Sequence, residues 1–181
     1  MNTEVFANSK IGQFFIRVMA IIMESRFRYR FFSPTRILQG ADIHPGQTVL
    51  ELGCGTGFFT TTTAQLIGDQ GSLVAMDILQ ASVEMVSGKV QSAGLNNIRV
   101  VKGDALNTKL ADESMDAVLL FGVVPAPMLP LDRLLPEMHR ILKPGGIMAV
   151  WPQSWVRQSI TQSELFTFGS KRNGVLNFKR I

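Results

Sequence analysis

The stretch Val49-Leu50-Glu51-Leu52-Gly53-Cys54-Gly55-Thr56-Gly57 decides how this chain folds. A short apolar run ends in three glycines at alternate positions, and a helical pattern follows over about 58–67. Glycines there permit positive φ and let a ligand press against bare backbone. A strand, a glycine turn and a helix form the opening unit of an open α/β fold, and ligands in such folds bind beyond the carboxyl ends of the strands. The dinucleotide fingerprint spaces its glycines G-x-G-x-x-G. Here the spacing is G-x-G-x-G, with Glu51 two positions before the first glycine.

Working outward, the pattern alternates. Strands are expected at 48–52, 72–77, 98–101, 117–121 and 147–151, and helices at 80–93 and 131–142. The run 117–121 is unbroken and apolar, as in a strand buried on both faces. Lys143-Pro144-Gly145-Gly146 reads as the turn into the fifth strand, and 154–163 as a short helix. Asn173-Gly174 between 166–170 and 175–180 is a strong hairpin signal. Upstream, Ser33-Pro34 reads as an N-cap with proline at the first helical position, opening a short helix to about residue 39. Residues 8–28 carry apolar side chains at three- and four-residue spacing, the mark of an amphipathic helix. Alternation of this kind implies a mostly parallel sheet with helices on both faces, and the hairpin makes the last strand antiparallel.

Taken together, these residues resemble a class I S-adenosylmethionine-dependent methyltransferase. Glu51-Leu52-Gly53-Cys54-Gly55-Thr56-Gly57 is similar to that family's first motif, and Ala75-Met76-Asp77-Ile78 to the acidic end of its second strand. Gly103-Asp104-Ala105 resembles the adenine loop, 116–124 the fourth strand, and Leu142-Lys143-Pro144-Gly145-Gly146 the turn into the fifth. The ordered set covers about 46–151. The resemblance implies a Rossmann-like, doubly wound, mostly parallel seven-stranded sheet with an antiparallel last strand between strands five and six. It implies S-adenosyl-L-methionine as cofactor and S-adenosyl-L-homocysteine as product. Glu51, Gly53, Gly55 and Gly57 would hold the methionine part, Asp77 and Ile78 the ribose and adenine edge, and Asp104 and Ala105 the adenine. Phe121 would line the cofactor. The bland alternative makes these turn glycines and solvated strand-end acids.

Composition narrows the chemistry. One cysteine in 181 residues, Cys54, excludes a disulfide framework, a multi-cysteine zinc site and paired-thiol chemistry. Cys54 reads as a small packed residue. Only two histidines occur. His44 reads as a surface turn residue. His139 stands with Tyr29 as a candidate catalytic residue, although a helix flanking the sheet also suits a structural histidine. The sulfonium is already activated, so transfer needs mainly proximity and alignment; a weak nucleophile would add a general base.

Phe121-Gly122-Val123-Val124-Pro125 departs from the Asn/Asp-Pro-Pro-aromatic motif of amino-methylating DNA and protein-glutamine enzymes. The run 134–146 resembles ubiquinone/menaquinone methyltransferases and bacterial phospholipid N-methyltransferases. That resemblance implies a small-molecule or lipid-like acceptor, a phospholipid amine or a quinone type.

Charge is unevenly spread. Residues 1–40 carry six bases and two acids, 41–150 seven bases and eleven acids, and 151–181 five bases and one acid. Basic ends flanking an acidic middle point to an anionic partner. The expected division is a helical lid and acceptor region over 1–40 and a methyltransferase core over 41–181. The apolar stretch 11–23 is shorter than the roughly 20 residues a membrane span needs. No cleavage site follows it, so a cytoplasmic protein is expected. An apolar face beside Arg26, Arg28 and Arg30 suits peripheral contact of 8–36 with anionic membrane, where Tyr29 and an arginine would hold a lipid phosphate. The alternative packs 11–23 on the sheet with the arginines solvated. RNA or protein methylation through the basic ends, and a non-catalytic cofactor-binding subunit, are the other readings. No RNA-binding module is readable, which disfavours nucleic acid.

Overall fold

The computed structural model describes residues 33–124, 129–152 and 156–181. The elements run α1 (Pro34–Leu38), β1 (Thr48–Leu52), α2 (Thr60–Ile67), β2 (Ser72–Asp77), α3 (Gln80–Ala93), β3 (Ile98–Lys102), β4 (Met115–Phe121), α4 (Leu131–Ile141), β5 (Leu142–Trp151), α5 (Arg157–Thr161), β6 (Phe166–Arg172) and β7 (Val175–Arg180). One seven-stranded sheet has the order β3-β2-β1-β4-β5-β7-β6. β1 pairs in parallel with β2 and β4, β2 with β3, and β4 with β5, while β7 runs antiparallel to β5 and β6. The expected doubly wound sheet is what forms, with its antiparallel last strand between the fifth and sixth.

Alternation along the strands divides the core. Leu50, Leu52, Val74, Met76, Val118, Leu120, Met148 and Val150 share one cluster with Leu134, Leu135 and Met138 of α4 and Ile160 of α5. Val49, Leu73, Ala117, Leu119, Phe121 and Ala149 face the other way, onto Ile37 and Leu38 of α1 and Ala64 and Ile67 of α2. Ala75 meets Val86 and Val90 of α3 on that second side. Successive side chains point to opposite faces, so Glu51 shares the face of Val49 and Asp77 that of Leu73 and Ala75.

Several boundaries shift from expectation, the starts of α2 and β5 among them. α2 starts at Thr60 because 55–59 are used in the turn. β5 starts at Leu142, because Met115 pairs with Leu142 before a register shift brings Ala117 opposite Ile147. The Lys-Pro-Gly-Gly turn is therefore an irregularity inside one strand. The short helix α1 opens as expected, with Ser33 Oγ accepting from Arg36 N (3.3 Å). The helix expected at 8–28 and the lid it would form lie outside the described residues.

Candidate functional site

The glycine loop is held by its neighbour strand. Gly53 N–H and Cys54 N–H both donate to Met76 O, at 2.8 and 3.1 Å, where β2 runs past the end of β1. Gly53 and Gly55 have φ of +71° and +54°, which side chains seldom adopt. Beyond conformation, their surroundings differ. A Cβ on Gly53 would run into Val123 Cγ1, whereas one on Gly55 would meet nothing closer than Gly53 O at 3.9 Å. Gly53 is thus a packing glycine, and Gly55 leaves bare backbone facing open space. Lys89, on α3, donates from Nζ to Thr56 O (2.7 Å) and braces the far side of the loop. Thr56 Oγ1 is buried with no hydrogen-bond partner.

Two carboxyl groups border this shelf. Glu51 is 3% exposed, and Thr60 Oγ1 donates to its Oε2 at 2.6 Å. Burial pushes its acid up to about 8; the Thr60 bond pulls the other way, and the charge of Asp77 adds to the rise. Asp77 is also buried, which raises its carboxyl, but it accepts Leu79 N on Oδ1 (2.9 Å) and Gly55 N on Oδ2 (2.8 Å). It therefore joins the loop to the start of α3. Two desolvated acids beside open backbone favour a ligand that brings positive charge and hydroxyl donors.

The rim is built from the next strands. Ile78 is exposed beside Asp77. Asp104 is exposed, with Oδ1 accepting Leu106 N at 2.9 Å, which leaves its other oxygen open. Ala105 is buried in the core beneath it. Phe121 lies at the end of β4, with its ring edge-on to Phe59 (5.0 Å) and Trp151 (6.4 Å).

A methyltransferase domain family matches residues 49–146, just over half the chain. The chain belongs to this family. Its fold is that of the class I S-adenosylmethionine-dependent methyltransferases, and S-adenosylmethionine is the cofactor of the domain. It is 35% identical over 115 residues to a demethylmenaquinone methyltransferase of Staphylococcus epidermidis, covering 62% of this chain and 45% of the relative. It is 30% identical over 112 residues to the demethylmenaquinone methyltransferase of Geobacillus stearothermophilus, covering 61% and 47%. The chain thus spans about half the length of the curated relatives it matches. Among solved structures, a SAM-dependent methyltransferase of Aquifex aeolicus superposes with a TM-score of 0.77 at 20% identity, covering 91% of this chain and 98% of that one. At that identity the likeness is one of fold.

The methyltransferase domain fits its cofactor in donor chemistry. The carboxylates complement an ammonium, a sulfonium and ribose hydroxyls, and the Gly55 gap gives backbone access. Of the residues singled out from sequence, Glu51, Gly53, Gly55, Gly57, Asp77, Ile78, Asp104 and Ala105 gather at the carboxyl ends of β1, β2 and β3. Phe121 lies one strand over, packed into an aromatic cluster with Phe59 and Trp151.

His139 requires a correction. It sits in the last turn of α4, next to the starting ends of β4 and β5, with Nε2 3.0 Å from Ile181 O and its ring edge-on to Phe166. The seven residues of β4, about 20 Å of strand, separate it from the glycine loop. It is a structural histidine of the methyltransferase domain. Tyr29 lies outside the described residues. Cys54 packs with Ala75, Val86 and Val90, and burial pushes its thiol up, away from reactivity.

Sequence reasoning missed Thr60, Lys89, Met76 and Val123. Thr60 had one faint signal, a hydroxyl three residues past Gly57 on the helix that covers Glu51. The others act through contacts between strands and helices that no local pattern encodes.

Proposed function

We propose that this domain transfers the methyl group of S-adenosylmethionine to a quinone-type, lipid-like acceptor. The carrying observation is the pair of buried carboxyls, Glu51 and Asp77, on either side of the open Gly55 backbone. The acceptor class is supported by similarity to the demethylmenaquinone methyltransferases. The cofactor supplies an activated methyl group on a sulfonium. The chain's own work is to bind, orient and exclude water.

In this reading Glu51, Gly53, Gly55 and Gly57 take the amino-acid end. Asp77 takes the ribose hydroxyls with Ile78 beside the adenine, and Asp104 and Ala105 border the base. Phe59, Phe121 and Trp151 form a packed aromatic cluster toward the β4 and β5 tips. Residues 1–40, with six bases, would cover the acceptor, and 8–36 would meet an anionic membrane from the cytoplasmic side.

The test is label transfer from methyl-labelled cofactor to a reduced, demethylated quinone bearing a short apolar tail. Label in the extracted quinone is expected. Asp77→Ala should weaken S-adenosylhomocysteine binding by about 10- to 100-fold, the scale of hydrogen bonds to a charged group. Calorimetry checks this, and unchanged affinity removes Asp77 from the site.

A further inference from the structure

The glycine loop is fastened from two sides. Its first half is held by β2, where Met76 O accepts Gly53 N–H and Cys54 N–H and Asp77 Oδ2 accepts Gly55 N–H. Its second half meets α3. Val86 and Val90 of that helix are buried and packed with Cys54. A Cβ on Gly57 would lie 3.2 Å from Val86 Cγ2 and 3.7 Å from Lys89 Cδ, so the lysine stem runs over this glycine. Lys89 is partly buried, and its Nζ donates to Thr56 O at 2.7 Å.

That bond falls on a peptide whose orientation the local sequence leaves open. Thr56 O and Gly57 N–H belong to one planar unit. Lys89 holds its carbonyl, and Cys54 O accepts its N–H at 2.8 Å. Glycines stand on both sides of Thr56, with φ of +54° at Gly55 and +81° at Gly57. Glycine enters several regions of backbone space at little steric cost, so the unit needs outside contacts to settle it. Thr56 also carries a buried hydroxyl with no hydrogen-bond partner among the described residues. Such a group costs free energy until something pairs it, which marks this end of the loop as the part a ligand completes. Packing of the lysine stem on the helix–loop seam is the plainer use of Lys89. It accounts for the methylenes against Gly57 and asks for no donor at the end of the stem.

We propose that Lys89 is a positioning residue for the cofactor: by holding Thr56 O it sets the second half of the glycine loop for the amino-acid end. This rests on the reading that Glu51 and the loop glycines take the amino-acid end while Asp77 takes the ribose. Lys89 acts through the loop backbone, and its effect is confined to the part of the ligand that the loop holds.

The test compares two ligands on the full chain by calorimetry. S-adenosylhomocysteine carries the amino-acid end; methylthioadenosine has the same ribose and base and lacks it. Lys89→Met keeps a stem and removes the donor. It should weaken S-adenosylhomocysteine binding by about 10-fold, the lower end for a hydrogen bond from a charged group, and leave methylthioadenosine within about twofold. Retained methylthioadenosine binding also shows that the variant is folded. Lys89→Arg, which restores a charged donor, should recover most of the loss. A lysine that only packs would lower both affinities together or neither, and either result overturns the proposal. Lys89→Arg binding S-adenosylhomocysteine no better than Lys89→Met also overturns it. Asp77→Ala separates this proposal from the reading beneath it. If Asp77→Ala weakens both ligands and Lys89→Met shows no selective loss, the cofactor site stands and the role of Lys89 is discarded. If Asp77→Ala weakens neither, the placement of the cofactor is discarded and the role of Lys89 with it.

Discussion

Glu51 holds a proton or loses it according to what lies beside it. Burial pushes its acid up to about 8, above the ordinary carboxyl range near 4.5. The folded state therefore prefers the protonated form. The resulting stability is complete below the ordinary value and is lost as pH rises toward 8, by at most about 1.4 kcal/mol per pH unit. The ligand-free domain should melt at a lower temperature at pH 8 than at pH 5, and Glu51→Gln should flatten that part of the profile. A bound cation reverses the preference. Cofactor binding at pH 7 should release close to one proton, measured by calorimetry in buffers of different ionisation enthalpy. Glu51→Gln should release none from this site. Glu51 was legible as a candidate because of its place before the glycines. Its proton was not, because it depends on Thr60 and on the cover of α2.

Among the secondary-structure elements, legibility followed locality. β2 and α3 form over the residues that periodicity indicates, 72–77 and 80–93, because each is bounded by its own turn residues. The start of β5 was hidden. Pro144, Gly145 and Gly146 are turn residues by every local rule, yet pairing with β4 carries the strand through them. The glycine loop was legible as a turn, but the reason for each glycine was not. Gly53 and Gly46 share a positive φ, at +71° and +83°, but only Gly53 has a neighbour in the way. Alanine at either position strains the backbone by a similar amount. Gly53→Ala should therefore destabilise the domain more than Gly46→Ala by about 1–3 kcal/mol, the range for overpacking. Adding Val123→Ala should recover part of the excess. Chemical denaturation of the four proteins checks this, and equal losses for Gly53→Ala and Gly46→Ala would show that conformation alone fixes the loop.

In the whole molecule, the ends of the described chain meet across the sheet. Asn177, 2% exposed on β7, accepts Asp42 N on Oδ1 (3.1 Å) and donates from Nδ2 to Gly40 O (2.8 Å) and Ser170 Oγ (3.0 Å). It ties the lead-in to β1 onto the closing hairpin. Asn177→Ala strands Gly40 O and Asp42 N and should cost about 2 kcal/mol or more, read from denaturant midpoints. Nothing in the sequence links positions 40 and 177, since the contact exists only once β7 inserts between β5 and β6.

The charge asymmetry of the chain was legible as a tally but not as an arrangement. Folding pairs Arg180 with Glu113 and Arg172 with Asp42, and stacks Arg157 on Phe168. The acids that matter lie over β1 to β3, where a cationic cofactor would sit. The most direct test of methyl transfer to a lipid-like acceptor is incubation of the full chain with methyl-labelled cofactor and total cell extract, followed by fractionation. The account predicts label in the organic, lipid-soluble fraction, at a level reduced by Asp77→Ala. Label confined to the nucleic-acid or protein fraction would contradict it.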